Sequence, residues 1–166
     1  MERTLDSTVL HVSRNRLLRD YPGQIAACLD ALTDDQAWWR PNDRANSVGN
    51  LVLHLAGSNR YYFAHVLGGE EDRRDRAAEF AARNGRPLAE LKREWGDSLV
   101  EVSRVLETLD ASRLMDTTDR TGKTTTVAQV LLHVTHHNAV HLGQIVWITK
   151  MLQPGAIDDI WMRMRQ

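Results

Sequence analysis

The chain has 166 residues, a formal net charge of −1, 26% charged and 42% apolar side chains, and one cysteine. A near-neutral balance without any lysine or arginine run gives a polyanion nothing to grip, so nucleic acid is excluded as a partner. One cysteine excludes an internal disulfide, and Cys28, set among Ile25, Ala26, Ala27 and Leu29, reads as a small buried hydrophobe. The length suits a single domain, residues 1–166, with its own core. The opening MERTLDSTVLHVSRNR lacks an apolar stretch of signal-peptide length, which predicts a cytoplasmic protein.

Apolar residues at Leu5, Val9, Val12, Leu17, Leu18, Ile25, Leu29 and Leu32 follow steps mostly of three and four, predicting an amphipathic helix over 5–32 that Pro22 kinks or divides. TDDQAWWRP is a short capped turn of helix halted by Pro41, with Trp38 and Trp39 folding back over the core; DRANS is a polar connection. Ser47 can cap a second helix, SVGNLVLHLAGSNRYYFAHVL, which ends before Gly68 and Gly69. The charged stretch EEDRRDRAAEFAARNGRP reads as solvated face plus loop, with a short helix around 76–83. A third helix starts near Pro87, its stripe being Leu88, Leu91, Trp95, Leu99, Val102, Leu106 and Leu109.

Thr126 and Gln129 form a capping box that opens the last long helix. Residues 124–149 hold no Asp, Glu, Lys or Arg, a length that raises the question of a membrane span, but four histidines, two glutamines and several threonines argue against one. So charge-poor a helix is either central or pressed against a second subunit, and Val146 and Trp147 on it predict a homodimer. The tail PGAIDDIWMRMRQ docks as a short cap through Ile157, Ile160, Trp161 and Met164. Four long helical patterns with short additional helical segments, and no credible strand, give an all-α four-helix bundle.

Successive helical residues rotate by about 100°, so His133, His137 and His141 climb one stripe with Val130, Gln144 and Ile148, predicted to face the core, while His136 leaves it. Histidines four apart on a helix can grip one ion, which makes half a site. The other half must come from a facing helix. The second helix offers His54 in LVLHLAG, with Asn50, Leu51, Gly57, Ser58 and Tyr61 on its face; His65 lies too far along the axis, and exposure is the simpler reading of His11. A lone core histidine is more often just hydrogen-bonded, but two on one charge-poor face with a third opposite favour metal, because several buried imidazoles without partners are costly. No Glu is followed by His three residues later, which closes the ferritin-like di-metal option; H-E-x-x-H and G-x-S-x-G are also missing. Three neutral imidazoles leave coordination positions open, as in a catalytic zinc site.

The runs SVGNLVLHLAGSNRYY and HVTHHNAVHLGQI, with the order and spacing of the four helices, resemble the DinB-like superfamily of four-helix bundles, which includes YfiT-like metal-dependent hydrolases, over nearly the whole chain. The N-S-x-G-N-L-x-x-H-L-A-G run looks closest to a branch of unknown function. The resemblance implies a divalent metal, zinc first and nickel or manganese as alternatives, on His54, His137 and His141, with His133 supporting them or lining the pocket. It implies a homodimer, and a reaction in which the metal activates the thiol of a low-molecular-weight cosubstrate for transfer to a small-molecule electrophile, with hydrolysis as second choice. Where relatives often carry His-His-Arg before the G-Q pair, this chain has Val140, His141 and Leu142, which keeps the ligand and removes a basic residue. Asn50, Ser58, Tyr61, His133 and Gln144 are expected around the ion. The alternative is a bundle that holds metal for stability or stress sensing without turnover.

Overall fold

The structure is a computed structural model that describes residues 4–160. Its first rod comprises α1 (Leu5–Asn15), one wide turn at Arg16–Asp20, and α2 (Tyr21–Ala31). In the wide turn Tyr21 N–H reaches back five residues to the Arg16 carbonyl. Pro22 follows at once: it has no N–H to donate and its ring crowds the carbonyl four residues back, so the helix widens here instead of breaking. After the short α3 (Asp34–Ala37), the second rod joins α4 (Val48–Asn59) to a π-helical segment, Arg60–Leu67. Then come the short α5 (Arg76–Ala81), α6 (Leu88–Thr108) and α7 (Val127–Leu152). The four rods form an all-α helical bundle in which α4 packs on α6 and α7, and α2 packs on α7.

Local chemistry sets the helix starts. Ser47 and Thr126 each accept from the backbone N–H three residues on, while the side chains of Asn50 and Gln129 reach back to the cap, satisfying two orphan donors at each start. Ahead of α7 the chain makes one small antiparallel pairing, Thr117–Thr118 with Thr125–Thr126, which the apolar patterning did not announce. Trp38 folds back as expected, donating its indole N–H to the Arg86 carbonyl at 2.8 Å. Leu5 and Val12, read as part of the first apolar stripe, are exposed, and Ser13 is buried instead. The C-terminal segment makes turns whose Ile157 and Ile160 are buried in the core; Trp161 and Met164 lie outside the described residues. Among the described residues no helix is long and apolar enough to cross a membrane.

The apolar interior comes in two blocks. One gathers Ile25, Leu51, Leu55, Leu91, Trp95 and Ile145; the other Phe63, Val102, Leu106, Val130, Leu131 and Val134. Between them, where α4 crosses α7, the interior turns polar: Ser58, Asn59 and Asn138 are buried there, with Asn138 Nδ2 donating to Asn59 Oδ1 at 3.3 Å and to the Val134 carbonyl at 3.0 Å. Polar side chains tolerated at this depth must find partners within the waist. The histidines stand at its outer edge.

Candidate metal centre

Three imidazoles converge at this edge, His54 from α4 and His137 and His141 from α7, each able to offer one nitrogen such that all three lie within 4.8 Å of one another. His54 Nε2 stands 2.9 Å from His137 Nε2, and the His54 and His141 rings meet edge to face at 4.9 Å. His54 is buried, while the two α7 histidines are half-buried. The site therefore opens to solvent on the α7 side.

The far nitrogen of each ring has an oxygen partner. His54 Nδ1 is 2.9 Å from Glu79 Oε2, His141 Nδ1 is 2.8 Å from Gln144 Oε1, and His137 Nδ1 is 3.4 Å from Ser58 Oγ. A carboxylate and an amide oxygen only accept, so the first two Nδ1 atoms carry their protons and leave Nε2 as a bare lone pair. A hydroxyl can do the same for His137. Without a cation, the short contact between the two Nε2 atoms needs a proton from His137, its Nδ1 then accepting from Ser58; a cation takes that proton's place. Nitrogens about 2.0–2.1 Å from a tetrahedral zinc stand roughly 3.4 Å apart, a spacing bracketed by the 2.9 Å His54–His137 contact and the 4.8 Å within which all three lie. The donors fit a divalent ion.

Electrostatics agree. Burial pushes the His137 imidazole down to about 3, with the neighbouring His141, His54, His133 and Arg74 acting the same way. Burial also lowers His141, against the Gln144 hydrogen bond, which raises it, and His54 lowers it further. Both rings are therefore neutral at pH 7 with lone pairs available. Burial works to raise the Glu79 carboxyl, but hydrogen bonds and charge from Arg74 and His54 outweigh it and hold the group below the ordinary carboxylate range.

The other residues expected here divide. Ser58 and Gln144 touch the histidines as described. Asn50 does not: its side chain closes the helix cap with Ser47 and donates to the Glu79 and Ala82 carbonyls at 3.0 and 2.8 Å. Tyr61 stacks on His65 and donates to the Arg120 carbonyl at 3.4 Å, so it lies with a different group. His133 is exposed, its ring parallel to His137 at 5.8 Å and against Tyr62 at 5.0 Å. The expectation that His133, His137 and His141 all face the core is thus corrected: the buried stripe of α7 runs through Val127, Val130, Val134, Asn138, Leu142 and Ile145, and the histidines form its lip. The offset is set by which neighbours cover α7, and periodicity does not carry that.

Arg74 and Glu79 come from the charged stretch that reads as solvated face plus loop with a short helix around 76–83; the helix is there as α5, but these two side chains are not solvated. Glu79 is buried, bound by Arg74 Nε on Oε1 at 2.7 Å and Arg74 Nη2 on Oε2 at 2.9 Å, besides His54. Arg74 Nη2 also lies 3.1 Å from His54 Nδ1, but both are donors crowding onto the same carboxylate oxygen, so this is proximity and no bond. A cavity of about 410 Å3 lies beside this pair, lined by Gly57, Tyr61, Arg74, Glu79 and Glu94 among others, and none of the three histidines lines it.

Cys28 is no candidate nucleophile. It is fully buried, and burial raises its thiol to about 11 despite a hydrogen bond from Thr149. Since the thiolate is the reactive form, the native protein is expected to resist iodoacetamide at pH 8 and to alkylate fully once denatured, as intact-mass measurement would show.

A family model described as mycothiol S-transferase matches residues 15–150. The chain belongs to the mycothiol S-transferase family. This membership agrees with the DinB-like resemblance and points to metal-dependent thiol transfer. A solved structure, the conserved protein of a locus from Enterococcus faecalis, superposes with a TM-score of 0.70 at 18% identity, covering 84% of this chain and 94% of that one. At that identity the likeness speaks to the fold of this mycothiol S-transferase family member and to nothing finer. No curated protein matches the chain.

Proposed function

We propose that the protein is a metal-dependent S-transferase that joins a low-molecular-weight thiol to a small electrophile, with one divalent ion held by Nε2 of His54, His137 and His141. The observation that carries this reading is that the three imidazoles each bring one nitrogen within 4.8 Å of the others while every Nδ1 has an oxygen partner, which leaves the Nε2 atoms for the ion. Structural sites tend to be closed by a fourth protein ligand; this trio has none among the described residues, which suits an ion that must still accept a substrate atom. When bound, the ion supplies the Lewis acidity that lowers a thiol's pKa and makes it a nucleophile near neutral pH. The chain does the rest. His137 and His141 stay neutral and keep their lone pairs outward, Gln144 fixes the plane of the His141 ring, and Ser58 does so for His137. The half-exposed α7 edge admits the thiol and its acceptor from solvent, and the buried α4 side keeps water from behind His54.

The family's name suggests mycothiol as the thiol. Zinc is the preferred ion, with nickel and manganese possible, since imidazole sites take several divalent ions and availability selects among them. The test is to load the protein with zinc and follow loss of free thiol from mycothiol and other small thiols with a panel of electrophiles. Turnover that disappears in His137→Ala supports the proposal. Tight, His137-dependent metal binding without turnover on any thiol would instead favour the non-catalytic bundle, and hydrolysis of the electrophile without thiol consumption would favour the hydrolase.

We further propose one cytoplasmic domain over 1–166 that pairs as a homodimer through α7. Leu132, Val140, Trp147 and Met151 lie along one exposed side of that helix, Val140 and Trp147 each 59% exposed. Val146, expected on that surface, is buried in the core and takes no part. Trp147→Glu puts a charge in the middle of the stripe and is expected to shift the protein to monomer in sedimentation at tens of micromolar; a monomeric parent removes the idea.

A further inference from the structure

The geometry points to Glu79 as a positioning residue for the metal centre, held against His54 by Arg74 and by a hole in α4 that only the glycine at position 57 leaves open. This rests on the metal reading above and adds to it a segment, residues 74–82, that carries no ligand. Glu79 lies 25 residues from His54 in the chain, yet its Oε2 accepts from His54 Nδ1 at 2.9 Å. A carboxylate in this place fixes the ring's tautomer and plane and raises the basicity of the opposite nitrogen, the one turned toward His137.

Arg74 holds the carboxylate there, and two further contacts hold its segment against α4. Arg74 grips both oxygens in a fork, at 2.7 and 2.9 Å, with the guanidinium itself mostly buried. Asn50 Nδ2 donates to the Glu79 carbonyl and to the Ala82 carbonyl, tying α5 to the first turn of α4. Phe80, the next residue along, lays its ring 4.6 Å from the His54 ring and closes the imidazole from outside. A buried carboxylate bound this way is expensive to maintain without a task, since its charge is desolvated and must be fully paired.

Gly57 decides whether it fits. It sits one turn after His54 on the same face of α4, and a Cβ there would stand 2.0 Å from Glu79 Oε1, 2.9 Å from its Cδ and 3.3 Å from Arg74 Nε. The far end of a free glutamate would swing aside at little cost. This one is clamped by Arg74 and His54, so a methyl at position 57 must break the clamp. Alanine is also the better helix former, so the substitution leaves α4 itself intact.

The test measures zinc affinity by competition with a chromophoric chelator in the purified protein and in Glu79→Ala, Gly57→Ala and the double variant, with thermal melts to confirm folding. Loss of such an outer partner typically weakens metal binding about 10- to 100-fold. Each single variant is expected to lose affinity in that range. The double variant is expected to be no worse than Glu79→Ala, because Gly57→Ala acts only through the carboxylate, whereas independent structural damage would multiply. A second readout needs no metal: long-range 1H–15N NMR should find His54 protonated at Nδ1 in the parent and lose that single tautomer in Glu79→Ala and Gly57→Ala. Affinities within twofold of the parent in both single variants, an unchanged His54 tautomer, or multiplicative losses in the double variant would overturn the proposal. A parent that binds no zinc while its His54 tautomer still depends on Glu79 would refute the metal reading and leave the positioning of His54 by Glu79 standing.

Discussion

His137→Ala is expected to strip the protein of its metal and to lower thiol transfer by about a thousandfold, several kcal/mol of lost charge stabilisation at roughly tenfold per 1.4 kcal/mol. In the proposed site His137 stands between the other two: its Nε2 is 2.9 Å from that of His54, and its ring is 4.6 Å from that of His141. The two imidazoles left behind belong to different helices and make a weak pair. His136→Ala is the control, since its neighbouring ring is exposed and stands outside the cluster, and it should keep full metal content. His133→Ala should also keep the metal, because that ring stacks on His137 without offering a nitrogen to the common point. Elemental analysis of the three purified variants is the check. Full occupancy in His137→Ala would falsify the ligand assignment whatever the activity.

Metal removal is expected to cost stability in proportion to occupancy. An ion that binds only the folded state adds about 4 kcal/mol when its free concentration is a thousand times Kd, and for a chain of this size that is roughly 8–16 °C in Tm. A chelator should therefore shift the melt by that order, and readdition of zinc should restore it. In the metal-free protein a pH dependence follows from the same residues. The His137 imidazole sits at about 3 in the folded state and near 6.5 when unfolded, so between those values the unfolded chain takes up a proton that the native state refuses. Stability should fall as pH drops from about 6.5 toward 3. His141, lowered as well, acts in the same direction, and Glu79, held below 4.5, adds its loss at the acid end. Melts of chelated protein across this range that stay flat would contradict the burial of these rings.

What the amino-acid order determined is local and periodic. Apolar residues three and four apart built the rods; Ser47 with Asn50 and Thr126 with Gln129 started two of them; Pro22 placed the wide turn; and histidines spaced by four put His137 and His141 on one side of α7. These follow from helix geometry and cap chemistry, which act within a few residues. The pairing of His54 with that side also came through, because a single imidazole in the apolar run of a second helix has few places to go.

The tertiary structure decided which face of each rod is covered and by what. It put His133 on the surface, turned Asn50 and Tyr61 to other tasks, buried Val146 and left Trp147 outside. It also brought Arg74 and Glu79, from a stretch dense in charge, onto the back of His54. Composition alone reads such a stretch as solvated, since nearly every carboxylate of this kind is. Here the hole above Gly57 and the guanidinium of Arg74 outweigh solvation, and both are neighbours that exist only once α4 and α5 have packed.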